Sequence, residues 1–167
     1  MDRTEMETDF QHHFGTDDSA VDGKGRLPLS KKKREWLADG FRFMKGDLGV
    51  LTIYPEWSFQ KKKNWVMSFD EHNEGRQLYQ SMVLGSAEGP FVADGEGRVV
   101  IPSSLRRDVP LEGALILRGV GEYIEVWPLT EYEKWKTDRE NYNRAWRDSV
   151  RESIRMMKAD ALPGTSN

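Results

Sequence analysis

Short alternating apolar stretches, separated by glycine-rich turns, occupy most of the chain. In "FVADGEGRVVI", residues 91–101, aromatic and β-branched residues flank the pair Asp94-Gly95. Aspartate and glycine tolerate the positive φ of a tight hairpin turn, so this stretch predicts two strands joined by a turn. Pro102 then suits the first position of a helical turn. "ALILRG" and "YIEVWP" predict a further strand pair, which Pro128 ends because proline cannot donate to a strand ladder.

The same order of elements occurs earlier in the chain. "DGKGRLPLSKKKREWL" from Asp22 aligns with "DGEGRVVIPSSLRRDV" from Asp94 at an offset of 72 residues, and "FMKGDLGVLTIYP" aligns with "ILRGVGEYIEVWP" at an offset of 73. This alignment superposes Arg26 on Arg98 and Arg34 on Arg106. Two matching blocks in the same order indicate an internal repeat. Each copy is predicted to contain a strand, a tight turn, a strand, a helical turn and two more strands.

The remaining segments have helical patterns. Between the repeats, Ser68 and Glu71 form a candidate capping box, and Leu78 and Met82 recur at helical spacing. From Thr130 onward the pattern predicts one long helix with an apolar stripe on one face. The stripe consists of Tyr132, Trp135, Tyr142, Trp146, Val150, Ile154 and Met157. Packing within the chain is the simpler interpretation of this stripe, and a contact between subunits is the alternative.

These patterns divide the 167 residues into five segments. The predicted segments are an acidic flexible tail at 1–13, a first unit at 14–57, a helical connector at 58–85, a second unit at 86–129, and a C-terminal helix and tail at 130–167. Units of about 45 residues bury too little apolar surface to be stable alone. We therefore expect the two units to pack on each other, on copies from other chains, or both.

Composition excludes several classes of protein. The net charge is −3 and the pI about 5.7, so the whole molecule is not a basic nucleic-acid coat. The absence of cysteine excludes disulfides and zinc–thiolate sites. The acidic start "MDRTEMETDF" is unlike a signal peptide, and no apolar run reaches the ~18 residues that a membrane span needs. A soluble cytoplasmic protein without a membrane partner is expected.

Catalytic chemistry has little support in the sequence. His12 and His13 fall in the predicted tail, and His72 falls in a polar stretch of the connector. No spacing matches a metalloprotease helix, a P-loop, a nucleophile elbow or an EF-hand. The sequences "DGKG" and "DGEG" do not continue into a phosphate-binding strand-to-helix motif, so their glycines are better interpreted as turn residues. We expect no enzyme activity, no metal and no cofactor.

Local charge is more informative than net charge. From Asp22 to Arg34 there are six cations and one acid, a net charge of +5, whereas from Asp94 to Arg107 there are three cations and two acids, a net charge of +1. A concentrated basic patch can neutralise phosphates even on a net-acidic protein. The alternatives are that Asp22/Arg26 and its equivalent only bridge a turn, and that the first "KKK" run is a solvated helix face. The second such run, 61–63, is interpreted as solvated surface.

The paired motifs "DGKGR" and "DGEGR" resemble the signature of the MraZ family of bacterial transcriptional regulators, whose units are similar to the SpoVT/AbrB swapped-hairpin DNA-binding domain. The likeness covers residues 14 to about 130, including "MVLGSA" and the ends "YP" and "WP". It implies an α+β chain with an internally duplicated, swapped-hairpin β-barrel. It further implies ring-like homo-oligomers in the cytoplasm, associated with the nucleoid, that bind short direct repeats of double-stranded promoter DNA upstream of a division and cell-wall gene cluster.

The resemblance also implies which residues bind DNA. The predicted contacts are Arg26 and Arg98, with Lys24 and Arg34 as helpers, and the basic surface extends over Lys31, Lys32, Lys33 and Arg106. The predicted turns are formed by Asp22, Gly23, Gly25, Asp94, Gly95 and Gly97. The arginines would specify the sequence, and the lysines would anchor phosphates.

Two departures from the family pattern change this expectation locally. Pro28 falls within the second strand of the first unit, which we therefore expect to be shortened, bulged or on an edge. Glu96 stands where a lysine occupies the first turn, so the second unit is expected to bind DNA less strongly. The alternative function is a protein-interaction module, antitoxin-like or scaffolding, that uses the same fold with the C-terminal stripe as its interface.

Overall fold

The computed structural model describes residues 12–109 and 111–160, which form an α+β fold. The strands are β1 His13–Ala20, β2 Arg26–Pro28, β3 Phe41–Lys45, β4 Leu51–Pro55, β5 Glu88–Phe91, β6 Arg98–Val100, β7 Ala114–Gly121 and β8 Ile124–Pro128. The α-helices are α1 Lys31–Trp36, α2 Glu56–Met67, α3 Glu74–Met82, α4 Ser103–Asp108, α5 Leu129–Thr137 and α6 Arg144–Asp160. The predicted order of elements in each unit is confirmed.

The strands form two antiparallel sheets that interlock the two halves of the chain. Six strands form one sheet in the order β1-β7-β8-β4-β3-β5, and β2 pairs with β6 as a separate ribbon. β1 lies along β7, from His13 opposite Gly121 to Ala20 opposite Ala114, while β5 pairs with β3. The first strand of each half therefore completes the sheet of the other half.

The predicted closed barrel is not present among the described strands. The six-stranded sheet is open, with β1 at one edge and β5 at the other. β2 and β6 contain only three residues each. They pair with each other and do not connect the two edge strands of the sheet. The ribbon lies over the open sheet and covers its apolar face.

The ribbon and the sheet enclose the larger core. Leu27 and Val99, at the centre of the ribbon, are buried against Phe43, Ile53 and Leu117 from the sheet. Alternate residues of a strand face opposite sides of a sheet, so the neighbouring Met44 and Tyr54 face away from the ribbon. They belong to a second core, which the helices form. The sheet thus separates the ribbon side from the helical side.

The connector is helical, as predicted, but its caps differ from the prediction. Ser68 ends α2, and its hydroxyl donates to the carbonyl of Trp65. Asn73 begins α3 instead, because its side-chain oxygen accepts from the backbone N–H of Arg76 at 2.9 Å. The absence of a side chain at Gly75 lets α6 approach α3 closely, since a Cβ there would lie 2.3 Å from the carbonyl oxygen of Ser153.

The predicted single C-terminal helix is two helices. α5 ends at Thr137 and α6 begins at Arg144. Between them, Asn141 donates two hydrogen bonds to the carboxylate of Asp138, and Asn143 adopts a positive φ of 47°, which a continuous helix does not allow. The apolar stripe is divided between two sites within the chain. Tyr132, Trp135 and Tyr142 pack around Trp127, and Trp146, Val150, Ile154 and Met157 pack in the helical core.

Candidate nucleic-acid interface

The ribbon displays two arginines on one outer face. Arg26 lies opposite Val100, and Pro28 lies opposite Arg98. Since Leu27 and Val99 point into the core, their neighbours Arg26 and Arg98 point outward from the same face of the ribbon. Two residues of rise and one strand spacing separate their Cα atoms, which places them about 8–9 Å apart. The structure therefore brings the two predicted principal residues side by side.

Pro28 fits the ribbon without disturbing the ladder. The backbone N–H of Leu29 donates to Gly97, and that of Ile101 donates to Gly25. In an antiparallel pair the N–H groups of alternate residues point away from the partner, so no ladder bond requires an N–H at position 28. β2 is short and lies at an edge, as expected, but β6 is equally short without a proline.

The two turns have the same hydrogen-bonded backbone. In the first, the carboxylate of Asp22 accepts from the N–H groups of Lys24 and Arg26 at 2.9 and 3.0 Å. In the second, Asp94 accepts from Glu96 and Arg98 at the same distances. These backbone donors stabilise the charged carboxylates, lowering the pKa of Asp22 to about 2 and lowering that of Asp94. The predicted turns are present, while a Cβ at Gly23 or Gly95 would contact nothing within 4 Å.

The same aspartates orient the outward-facing arginines. Nε of Arg26 donates to Asp22 at 2.6 Å, and Nε of Arg98 donates to Asp94 at 3.3 Å. In the first turn this arrangement directs the guanidinium without engaging its terminal nitrogens in any ion pair within the described residues. In the second turn Nη2 of Arg98 pairs with Glu96 at 3.2 Å. The two arginines occupy equivalent positions, but Arg98 pairs with one more carboxylate than Arg26 does.

Arg34 and Arg106 each brace the turn of the opposite half. A Cβ at Gly97 would lie 2.4 Å from Cδ of Arg34, and a Cβ at Gly25 would lie 2.4 Å from Nη1 of Arg106. Both glycines also adopt a positive φ, 78° and 77° respectively. Sequence reasoning assigned both arginines to DNA but did not find this crosswise contact. Their alignment at equal offsets was the available signal that they perform an equivalent task.

The lysines divide into surface and buried groups. Lys24, Lys31 and Lys32 are exposed near the first turn. Lys33 is only 2% exposed, and its ammonium pairs with Asp17 at 2.8 Å and donates to the carbonyl of Gly15. The assignment of Lys33 to DNA binding is therefore corrected, because its charge is already neutralised inside the first half. No sequence pattern distinguished it from its two neighbours.

His13 is a second structural residue that the sequence misplaced. It begins β1 instead of lying in the tail, and its ring stacks on Trp36 with centroids 5.0 Å apart. Burial, aided by the charges of Lys33 and Lys32, lowers the pKa of His13 to about 4. The ring is therefore neutral at pH 7. The rest of the predicted tail, 1–11, lies outside the described residues.

Residues 12–109 and 111–160 contain no group of three or more His, Cys, Asp or Glu that could hold a metal ion. No helix within them has the length and apolar character to cross a membrane.

Comparison with known proteins supplies the family. Residues 91–152 match the family model described as "MraZ protein, putative antitoxin-like". A protein of Alkaliphilus oremlandii named transcriptional regulator MraZ is 33% identical over 127 residues, which cover 75% of this chain and 87% of the relative. Proteins of the same name from Cutibacterium acnes and Saccharopolyspora erythraea are 32% and 29% identical, covering 76% and 90% of this chain and 89% and 97% of the relatives. Through these matches, the chain is shown to belong to the MraZ family.

Proposed function

We propose that this chain is a sequence-specific DNA-binding transcriptional regulator, and that the outer face of the β2–β6 ribbon is its DNA contact surface. One observation carries this proposal: the ribbon register sets Arg26 and Arg98 beside each other on a solvent-facing surface. The name of the relatives, transcriptional regulator MraZ, supports the same function.

The proposed roles follow from how each cation is held. Arg26 and Arg98 are oriented by their aspartates, so their planar guanidinium groups are prepared for paired hydrogen bonds to guanine edges or phosphate. Lys24, Lys31 and Lys32 carry exposed charges suited to phosphate anchoring. Arg34 and Arg106 act as positioning residues that fix the turns.

Binding is proposed to be asymmetric between the two halves. The ion pair with Glu96 occupies part of Arg98, whereas Lys24 adds a positive charge beside Arg26. The first turn therefore contributes most of the electrostatic attraction. The second turn contributes position and a weaker contact.

The finer features expected from the family are proposals as well. We infer that the segments 14–57 and 86–129 are copies of one AbrB-like swapped hairpin, supported by the matching turns and crosswise contacts. A chain with one ribbon contacts one short site, so tandem repeats of double-stranded DNA call for several copies of the chain, as in a ring-like homo-oligomer. The targets would be direct repeats upstream of a division and cell-wall gene cluster, read in the cytoplasm at the nucleoid.

The proposal predicts that Arg26→Ala combined with Arg98→Ala abolishes specific binding. Each well-oriented arginine contact to a base is worth about 1–3 kcal/mol, so affinity should fall by about 100-fold or more. A mobility shift on the upstream region of its own operon measures this loss, and a salt titration should show a shallower slope for the variant. Arg151→Ala combined with Arg155→Ala, two exposed arginines on α6, is the matched control and should bind like the parent.

The alternative function has a distinct outcome in the same experiment. A protein-interaction module would give no specific shift at any salt concentration. If the double variant bound the upstream DNA as tightly as the parent, the ribbon would not be the contact surface.

A further inference from the structure

The outer face of the β2–β6 ribbon carries apolar side chains as well as arginines. Val100 lies opposite Arg26, and Pro28 lies opposite Arg98. Because the residues of a strand alternate between core and solvent, all four side chains share the outer face. Val100 is 52% exposed, and Pro28 is also exposed. The surface proposed to contact DNA therefore has an apolar component that the arginines do not explain.

The internal repeat gives both halves this apolar position. Pro28 aligns with Val100 at the same offset of 72 residues that superposes Arg26 on Arg98. The solvent-facing positions of an antiparallel strand are usually polar. An apolar residue two positions after the arginine in both halves is therefore a paired feature of this face, and not a single exposed side chain.

The ladder brings Val100 close to Arg26. The backbone N–H of Ile101 donates to the carbonyl of Gly25 at 3.0 Å, one residue beyond this pair. Arg26 and Val100 are consequently a non-hydrogen-bonded pair, in which the Cα atoms are about 4.5 Å apart and the side chains are closest. Since Asp22 holds Nε of Arg26 at 2.6 Å, the guanidinium is fixed while Val100 stays uncovered beside it. The ribbon thus presents an arginine and a short apolar side chain together.

Thymine is the base whose edge in the major groove carries an apolar group. Its C5 methyl accompanies one acceptor, whereas guanine offers two acceptors that an arginine can bind together. The major groove admits a two-stranded ribbon, and successive nucleotides of a strand follow at about 3.4 Å along it. The spacing of about 4.5 Å between the two side chains therefore suits neighbouring base pairs, with guanine facing Arg26 and thymine facing Val100.

We propose that Val100 is a specificity-determining residue of the DNA contact, and that it packs on the C5 methyl of a thymine next to the guanine bound by Arg26. Pro28 occupies the equivalent place beside Arg98, where the ion pair with Glu96 weakens the contact, so its contribution is smaller. The Val100 contact adds discrimination between bases and no charge. This inference rests on the proposed function and assigns part of its sequence specificity.

Deoxyuridine in place of thymidine tests the contact, because it removes the methyl group and keeps the base pairing. The probe is the upstream region of the protein's own operon, prepared once with thymidine and once with deoxyuridine throughout. The parent should bind the thymidine duplex about four-fold more tightly, as burial of one methyl group predicts. Val100→Ala should bind the two duplexes with nearly equal affinity, because the shorter side chain does not reach the methyl group.

Further measurements separate this contact from other roles of Val100. The salt dependence of DNA binding by Val100→Ala should match that of the parent, because no phosphate contact is lost. Thermal unfolding and the mass from light scattering should also match, since the side chain is already exposed. Met67→Ala shortens an apolar side chain that is 50% exposed at the end of α2, and this matched control should keep the parental preference for thymidine.

Each contrary result overturns a different part of the proposal. If the parent shows a specific shift with both duplexes at equal affinity, thymine methyl groups are not recognised, although the proposed function stands. If Val100→Ala keeps the parental preference, another residue contacts the methyl groups. A changed mass of Val100→Ala would make this residue a contact between copies of the chain. A parent that gives no specific shift with the thymidine duplex would contradict the proposed function itself, and the Val100 contact with it.

Discussion

The two aspartate–arginine turns share a backbone and differ in charge. In both, an aspartate accepts from two backbone N–H groups, and a glycine at positive φ lies under an arginine of the other half. The position between the glycines is Lys24 in one turn and Glu96 in the other. Since the backbone hydrogen bonds of each turn go to the aspartate and not to the side chain at this position, the charge here can change without altering the fold. The geometry of the turn and the charge that it presents are therefore set by different residues of the same five-residue motif.

The largest expected difference between the two turns concerns the arginine that lies over each glycine, Arg34 over Gly97 and Arg106 over Gly25. Gly97→Ala forces a Cβ onto the half-buried stem of Arg34, whereas Gly25→Ala meets the exposed end of Arg106, which can move. Both changes also place alanine at positive φ. We expect Gly97→Ala to lower the free energy of unfolding by about 2–3 kcal/mol and Gly25→Ala by about 1–2 kcal/mol.

Urea unfolding of the two variants measures the difference. Gly95→Ala is the control, since a Cβ there meets nothing within 4 Å and no positive φ is imposed. If Gly25→Ala and Gly97→Ala lowered the free energy of unfolding equally, the contacts of Arg106 and Arg34 with the two turns would be equivalent.

Acid should destabilise the fold through a residue of the first half that has no equivalent in the second. All three histidines lie outside the segment 86–129, and His13 is the one whose pKa is lowered to about 4. The folded state then binds fewer protons than the unfolded chain, so His13 stabilises the fold fully above about pH 6.5, and this stability is lost as the pH falls toward about 4. After allowance for solvent screening, the loss should be about 1–2 kcal/mol.

Unfolding free energies at pH 7.5, 6 and 5 in the parent and in His13→Phe measure the effect. The variant should show a flatter profile over this range, while His72→Gln, at an exposed side chain, should follow the parent. Parallel profiles for the parent and His13→Phe would mean that His13 does not carry the acid sensitivity in this pH range.

The smallest expected effect comes from making the two turns alike. Glu96→Lys removes the ion pair with Arg98 and adds a positive charge, so DNA affinity should increase by about 0.5–1 kcal/mol, and the salt dependence should steepen. Lys24→Glu should produce the opposite change. Fluorescence anisotropy with a labelled duplex resolves both, and thermal unfolding should be nearly unchanged. An affinity that does not respond to either change would separate the charge at this position from DNA binding.

Local sequence patterns predicted the strands and turns. The features that depend on contacts between distant residues could not be predicted from the sequence. The repeat at offsets of 72 and 73 was sufficient to order the strands and turns of both halves, because hairpin signals are local. It could not show that β2 and β6 pair as a ribbon, nor that the sheet stays open. The break before α6 was missed because the apolar stripe keeps its helical spacing across 138–143, although its two parts pack on different cores.

The location of the candidate site could be predicted from the sequence, but the different roles of its cationic side chains could not. Equivalent spacing located Arg26 and Arg98, and the ribbon register places them together. Lys33 was indistinguishable from Lys31 and Lys32, since burial depends on Asp17, which lies on another strand. The bracing roles of Arg34 and Arg106 depend on contacts between halves separated by about 70 residues, which no local pattern encodes.

The pairing of His13 with Gly121 has a consequence for synthesis on the ribosome. A nascent chain emerges from its N-terminus, so β1 meets solvent long before β7 leaves the exit tunnel. Until β7 is available, the N-terminal half has an unpaired strand edge that carries Asp17 and Asp18. The charges of these side chains disfavour pairing with neighbouring chains. Native structure can form only after β7 has left the exit tunnel, so polysomes are the place where mispairing between sister chains is most readily detected.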